Sequence, residues 1–309
     1  MTTKVIGPED VAGKLTWTKV TEAIAAGHRL PRAEIQDSLL SRGDDRLLSR
    51  AAWIDGLALG VKTASVFPGN VANGLPSIHA GMMLFNDKTG ALDAMVDGRL
   101  VTNWKTAGDS VFGAKLLARA DSKRLLVVGA GVVSENLVRA YSEVFPGLDR
   151  IKIYNRTRAR AEELVEKLSA EGFPVSVADD LGDAAGDTDI LTSATMAKQP
   201  IIKGEWIKPG THVDLIGAFT PDMREGDDVL LRKGRLFVDS RETTLEDIGE
   251  LRIPLENGVI TEDDVIGDYY DLVPGKVGRE SDEDITVFKN GGGAHLDVMT
   301  AMAIYQAAN

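Results

Sequence analysis

The stretch RLLVVGAGVVSENLVRAYSEVF, residues 124–145, decides the fold. Leu125–Val128 make an apolar run of strand length, Gly129, Ala130 and Gly131 interrupt it, and SENLVRAYSEVF continues as a helix. Strand, glycine turn and helix in that order form a dinucleotide fingerprint. The first glycine makes the tight turn and the second lets the backbone approach a pyrophosphate. The helix N-terminus then offers unpaired N–H groups and a positive dipole. Ser134 stands where the pattern usually has a third glycine, and it is small enough for close helix packing. An ordinary strand–helix turn is the plain alternative, but the context that the fingerprint requires is met. Gly129, Ala130, Gly131, Val132 and Val133 are therefore candidate cofactor contacts.

Working outward, strands and helices alternate from here on. RIKIYN is a strand and RARAEELVEKLSAEG a helix; PVSVA, DTDILTSAT, THVDLIG and GRLFVDS are further strands. That alternation indicates a parallel sheet covered on both faces. Upstream the character is mixed. TKVTEAIAAGHRL has helical spacing, RLLSRAAWI and ALGVKTASVF read as strands around a DG turn, and SIHAGMMLFND pairs with ALDAMVDG across KTG. LVTNWKTAGDSVFGAKLLARA is a helix, and ITVFKNGGGAHLDVMTAMAIYQAA closes the chain as strand, glycine loop and helix. The expected fold is α/β: a Rossmann-type parallel sheet domain, residues 120–288, inserted in an α+β domain made of residues 1–119 and 289–309.

Composition limits the function. The chain has 309 residues, with 35 Lys and Arg against 47 Asp and Glu, for a net charge of −12. That balance argues against a sequence-independent nucleic-acid binder. There are no cysteines, which removes disulfides, thiolate metal sites and cysteine nucleophiles. No residue set has metal-ligand spacing. No signal-peptide core or membrane-length apolar run is present, so a cytoplasmic protein without a membrane partner is the expectation.

The strand IKIY tests which dinucleotide binds. An NAD site usually ends this strand with an acid that accepts from the ribose hydroxyls. Here Asn155, Arg156 and Thr157 follow it, with Arg158 and Arg160 nearby. Arg pairs with a 2′-phosphate and stacks on adenine, so NADPH is expected, with NADH as the alternative. A solvated basic start to a surface helix is the bland reading.

The stretches GVKTASVFPGN, GLPSIHAGMMLFNDKTGALDAMVDGRLVTNWKTAGDS, VVGAGVV, YNRT, IGAFTPDMRE and ITVFKNGGGA together resemble the ornithine cyclodeaminase and μ-crystallin family, in the family's order. The family includes cyclodeaminases, an archaeal-type alanine dehydrogenase, the ketimine reductase μ-crystallin and bacterial Δ1-pyrroline-2-carboxylate reductases. The resemblance implies a homodimer whose first domain binds substrate. It implies that Lys62 is the substrate lysine and candidate proton donor. Lys105 falls where most members have Arg, and it keeps the charge but loses the bidentate fork. The early substrate arginine is hard to register in SRGDDRLLSR; Arg50 is the choice, with Arg42 and Arg46 open.

Cyclodeaminases, by the same resemblance, carry an Asp just after the GA or GG pair, Gly217 and Ala218 here, at the end of the strand VDLIG. Here that position is Phe219, which can wall an apolar pocket but cannot relay a proton. The expected activity is therefore NAD(P)H-dependent reduction of a cyclic ketimine carboxylate, Δ1-pyrroline-2-carboxylate to L-proline. Reductive amination of a 2-keto acid, ornithine cyclodeamination and a non-catalytic crystallin-like role remain as rivals. Further candidates are Ser77 and His79 beside the substrate, and Thr106, Ala194, Thr195, Ile216, Gly217, Gly291 and Gly292 beside the cofactor. His295 is either near the nicotinamide or a surface residue. Lys105 could instead pair with Asp109 one helical turn on. Asp222 and Glu225 read as solvated or capping residues.

Overall fold

The computed structural model describes residues 3–309, with only the backbone described for Val71. The chain forms two compact units. The first holds the residues up to Lys105 together with Gly293–Asn309, so it is built from both chain ends. Its six strands are β1 (Lys4–Ile6), β2 (Glu34–Arg42), β3 (Asp45–Ile54), β4 (Ala58–Val66), β5 (Ile78–Asn86) and β6 (Leu92–Asp97), in the order β1-β6-β5-β4-β3-β2. β2 to β6 run antiparallel to their neighbours, and β1 joins β6 in parallel. The segment SRGDDR is the tip of the β2–β3 hairpin. Arg42 faces Asp45 there, and Gly43 takes the left-handed conformation (φ +59°) that the turn needs.

Side chains alternate across a sheet with period two, and the two faces of this one differ. Ile6, Ala94, Val96, Leu84, Met82 and Ile54 are buried on one face. The helices Trp17–Gly27 and Ala294–Ala307 pack on each other, and Ala294–Ala307 packs on β3 and β4. The approach is tight: a Cβ on Gly60 would lie 3.1 Å from the Val298 side chain. The other face leaves Val5, Met83, Met95, Trp53, Leu47 and Leu40 exposed.

The second unit is Thr106–Gly292. Its strands are β7 (Arg124–Val128), β8 (Arg150–Tyr154), β9 (Val175–Val177), β10 (Ile190–Ser193), β11 (His212–Leu215), β12 (Arg235–Val238), β13 (Val265–Gly267) and β14 (Thr286–Lys289). All pair in parallel in the order β13-β12-β14-β11-β10-β7-β8-β9. The order reverses at β7, whose neighbours are β8 and β10. Open parallel sheets bind ligands beyond the C-terminal strand ends at such a switch point. Leu126, Val128, Leu191, Val213, Leu215 and Val287 carry the sheet's share of the core, and burial on both faces explains the unbroken apolar run Leu125–Val128.

The change of unit falls inside the helix Gly98–Leu117, not at 119/120, and at 292/293 rather than 288/289. A continuous helix gives no sequence signal where its packing partners change. In its second half Phe112 meets Tyr269 at 5.0 Å between ring centres, and Tyr269 meets Phe288 at 5.3 Å. The Tyr269 hydroxyl donates to the Asp109 carboxylate at 2.8 Å. Among the described residues no helix is long and apolar enough to cross a membrane.

Gly113 faces this aromatic stack, and a Cβ there would stand 2.8 Å from the Phe288 ring. Helix propensity alone would favour alanine by about 1 kcal/mol, while overpacking a rigid core costs about 1–3 kcal/mol. We expect packing to win. Gly113→Ala should lower the thermal unfolding midpoint, and a rise would contradict the packing described.

Candidate active site

In the first unit, β4 carries Lys62 directly between Arg50 on β3 and Met82 on β5, all on the helix-covered face. Lys62 is only 8% exposed. A buried ammonium needs a partner, and Asp297 in the helix Ala294–Ala307 provides it, with Nζ 2.6 Å from Oδ1. Burial pushes the Lys62 pKa below that of an ordinary lysine; Asp297 opposes this, and the charges of Lys105 and Arg50 add to it. The other Asp297 oxygen is buried without a hydrogen-bond partner among the described residues. Arg50 also donates to Asp37 at 2.8 Å.

Lys105 is buried and forms no ion pair among the described residues. Asp109 accepts from Tyr269 instead. His295 is fully buried rather than at the surface, edge-on to His28 at 5.3 Å. Burial first, then the charges of His28, Lys105, Arg50 and Arg32, hold its pKa well below the usual histidine range. The imidazole is therefore neutral. Three cations, Lys62, Lys105 and Arg50, thus act on one another against two carboxylates, Asp297 and Asp37. The excess positive charge suits an added carboxylate.

Arg42 and Arg46 lie at the hairpin tip, Arg42 paired with Asp45 at 2.9 Å. Ser77 and His79 do not join Lys62. His79 pairs in register with Ser65, an odd number of residues from Lys62, which points it to the opposite, exposed face; Ser77 precedes β5 on the same parity. Asp297 went unremarked in the sequence, although a lone acid among the apolar residues of HLDVMTAMAI was a signal that something charged lies buried beside it.

In the second unit, Gly129 follows β7 with φ +119°, and a Cβ there would lie 2.6 Å from the Ala194 carbonyl oxygen. Gly131 caps the helix Val132–Val144. No side chain caps that helix, and nothing stands within 4 Å of where a Gly131 Cβ would be. Unsatisfied helix N–H groups facing open space fit a pyrophosphate. Ala130, exposed Val132 and half-buried Val133 complete the loop. Ser134 is buried against Gly129, as the third position of the fingerprint requires.

At the end of β8, Asn155 donates to the Thr157 carbonyl at 2.9 Å. Arg158 is occupied by Glu162 and Asp179, at 2.7 and 2.6 Å. Arg156 is exposed and has no ion pair among the described residues, so its guanidinium is available to a ligand.

The ends of β10 and β11 carry Ala194, Thr195, Ile216 and Gly217. They touch: a Cβ on Gly217 would fall 2.1 Å from the Thr195 carbonyl oxygen. Glu225 is fully buried beneath them, which overturns its reading as a solvated or capping residue. Its carboxylate accepts from Ser193 Oγ (2.7 Å), Thr195 N (2.8 Å), Thr195 Oγ1 (2.7 Å) and Gly217 N (2.6 Å). Asp222 is exposed and pairs with Lys198 at 2.8 Å. Phe219 is 60% exposed, next to fully buried Ala218.

The N–H of Gly291 donates to Asp239 at 2.9 Å, and that of Gly292 donates to the same oxygen. Neither is free for a phosphate, so these glycines shape a tied loop. Thr106 is half-buried, and its carbonyl accepts from Asn290 at 3.1 Å.

The model of the ornithine cyclodeaminase/mu-crystallin family matches residues 40–309. A Δ1-pyrroline-2-carboxylate reductase of Paracoccus denitrificans is 53% identical over 296 residues, 96% of this chain and 94% of that protein. The structure of Thermococcus litoralis Δ1-pyrroline-2-carboxylate reductase, in complex with NADH and L-proline, matches with a TM-score of 0.90 at 30% identity, covering 99% of this chain and 97% of that one. An archaeal alanine dehydrogenase dimer with bound NAD matches with a TM-score of 0.91 at 30% identity, covering 100% and 96%. The family model and these relatives cover most or nearly all of the chain, and the chain belongs to the ornithine cyclodeaminase/μ-crystallin family.

Proposed function

We propose that this protein reduces Δ1-pyrroline-2-carboxylate to L-proline with a nicotinamide cofactor, NADPH in preference to NADH. The observation that carries the reading is the cationic group of buried Lys62, buried Lys105 and half-buried Arg50, close enough for the charges of the other two to act on Lys62. A ring carboxylate answers their mutual repulsion. One such contact is worth about 1–4 kcal/mol at ~4 Å, depending on how much water remains. The relative from P. denitrificans, 53% identical, supports the same substrate.

The chain's own groups do the following. Lys62 attracts the carboxylate and, directly or through a water, donates a proton to the imine nitrogen, which makes the neighbouring carbon the better acceptor. Asp297 keeps that ammonium charged and aimed. Lys105 and Arg50 fix the carboxylate, and holding the ring in place removes motions that would slow the reaction. When bound, the reduced nicotinamide supplies the hydride that the imine carbon takes. Phe219 offers an apolar surface where a cyclodeaminase would need an acid, so ornithine is not a substrate.

The NADPH preference rests on unpaired Arg156 and on the absence of an acid after β8. A homodimer rests on the exposed apolar sheet face of Val5, Met83, Met95, Trp53, Leu47 and Leu40, for which a second copy is the natural cover. The related alanine dehydrogenase is a dimer. Light scattering at micromolar concentration should give twice the chain mass; a monomer would contradict this part.

The defining assay is NADPH oxidation with Δ1-pyrroline-2-carboxylate, run beside ammonia release from ornithine. We expect turnover in the first and none in the second, without dependence on added ammonia; the reverse pattern would sink the reading. In the same assay kcat/KM should be higher with NADPH than with NADH. Arg156→Asp should erase or invert the ratio, by about tenfold for one lost charge-assisted contact. Equal values in the unmodified protein would remove the preference.

The pH dependence follows from Lys62. Its protonated form is the active one and its pKa is lowered, so kcat/KM should fall with rising pH below the ~10.4 of a free lysine. Asp297→Asn removes the contribution that raises that pKa, so the falling limb should move to still lower pH. A uniform loss with an unmoved limb would mean that Asp297 only supports the fold.

A further inference from the structure

We infer that Glu225 is a positioning residue for the cofactor, acting with Lys289 to set the strand-end loop Leu215–Phe219 and the Thr195 backbone beside it. The inference rests on the reading above that a nicotinamide dinucleotide binds at these strand ends.

The loop is held from both polarities. Lys289, buried on β14, donates its three ammonium protons to Leu215 O (3.0 Å), Ala218 O (2.8 Å) and Asn290 O (2.7 Å). An ammonium has three donors, so these carbonyls satisfy it. Glu225 takes the opposite role, accepting the Gly217 N–H on one oxygen and Ser193 and Thr195 on the other. One buried carboxylate therefore ties the end of β10 to the end of β11. Gly217 makes the arrangement possible, because any side chain there would collide with Thr195.

The Glu225 backbone is itself anchored. Its N–H and that of Gly226 both donate to Glu250 at 2.8 Å. Burial and the neighbouring charge of Glu225 push the Glu250 pKa up to about 7. Buried carboxylates are costly to keep unless they hold something in a particular place, and what these hold is the backbone of the two strand ends. The first exposed residue beyond the tie is Phe219, so its placement depends on the same bonds.

The test replaces Glu225 by Gln. An amide can keep the three-donor side but then presents an NH2 to the Gly217 N–H, which loses its acceptor. The control is Asp189→Asn at the opposite end of β10. That change also breaks a multi-bonded carboxylate, since Asp189 accepts from Lys123 N, Arg124 N and the Arg124 guanidinium. NADPH affinity is measured by tryptophan-to-nicotinamide energy transfer, and hydrogen exchange is followed at the Thr195 and Gly217 amides of the ligand-free protein.

Glu225→Gln should raise the NADPH Kd by about tenfold and speed exchange at those two amides. Asp189→Asn should lose stability without either effect. Equal losses of affinity in the two variants, or unchanged exchange at Gly217 in Glu225→Gln, would overturn the inference. Should Glu225→Gln fail to fold, Ser193→Ala, which removes one of the four donors, must show the same pattern at smaller size. Failure of the unmodified protein to bind either dinucleotide would overturn the reductase reading itself, a result distinct from normal binding that Glu225→Gln leaves untouched.

Discussion

A lysine in an apolar strand and an aspartate in an apolar helix can be buried here only because they meet. Desolvating either alone costs several kcal/mol, and removing one partner of such a pair typically costs about 3–5 kcal/mol. The Lys62–Asp297 contact joins residues far apart in sequence, and it fixes how the C-terminal helix lies on β4. A pair of well-packed apolar side chains would serve stability at least as well. A charged pair with an unused carboxylate oxygen and two more cations nearby is better explained by a charged ligand.

The second unit answers a different constraint. Its sheet is parallel and buried on both faces, so its chemistry is confined to the C-terminal strand ends. There Gly129 and Gly217 permit contacts that no other residue would, and Glu225, Lys289 and Asp239 satisfy buried and half-buried N–H and carbonyl groups of the loops. The charges buried in this unit shape loops, while Lys62 in the first unit is paired with Asp297 and feels two further cations, Lys105 and Arg50.

Much of this was legible in the sequence, for stated reasons. Apolar runs broken by helices identify a parallel sheet, and Gly129–Gly131 mark its switch point without any tertiary knowledge. The β2–β3 hairpin was not legible, because EIQDSLLSR is largely exposed and lacks a clean alternation. His79 was assigned to the substrate face because only the β4–β5 register reveals that Met82, an odd step away, lies opposite Lys62. Glu225 was misread because an acid in a polar loop looks solvated until the partners that bury it are known, whereas Asp297, alone among apolar helix residues, carried a signal that went unused. The unit boundary was misplaced because a helix can change neighbours without changing its own pattern.

The central claim is that hydride reaches the imine carbon of a ring whose carboxylate is held by Lys62, Lys105 and Arg50. The most direct measurement uses Δ1-pyrroline-2-carboxylate with NADPH carrying deuterium at the transferable C4 position, and reads the product by NMR and mass spectrometry. The account predicts L-proline with a single deuterium at Cα. Unlabelled proline, deuterium elsewhere on the ring, or no proline at all would contradict it.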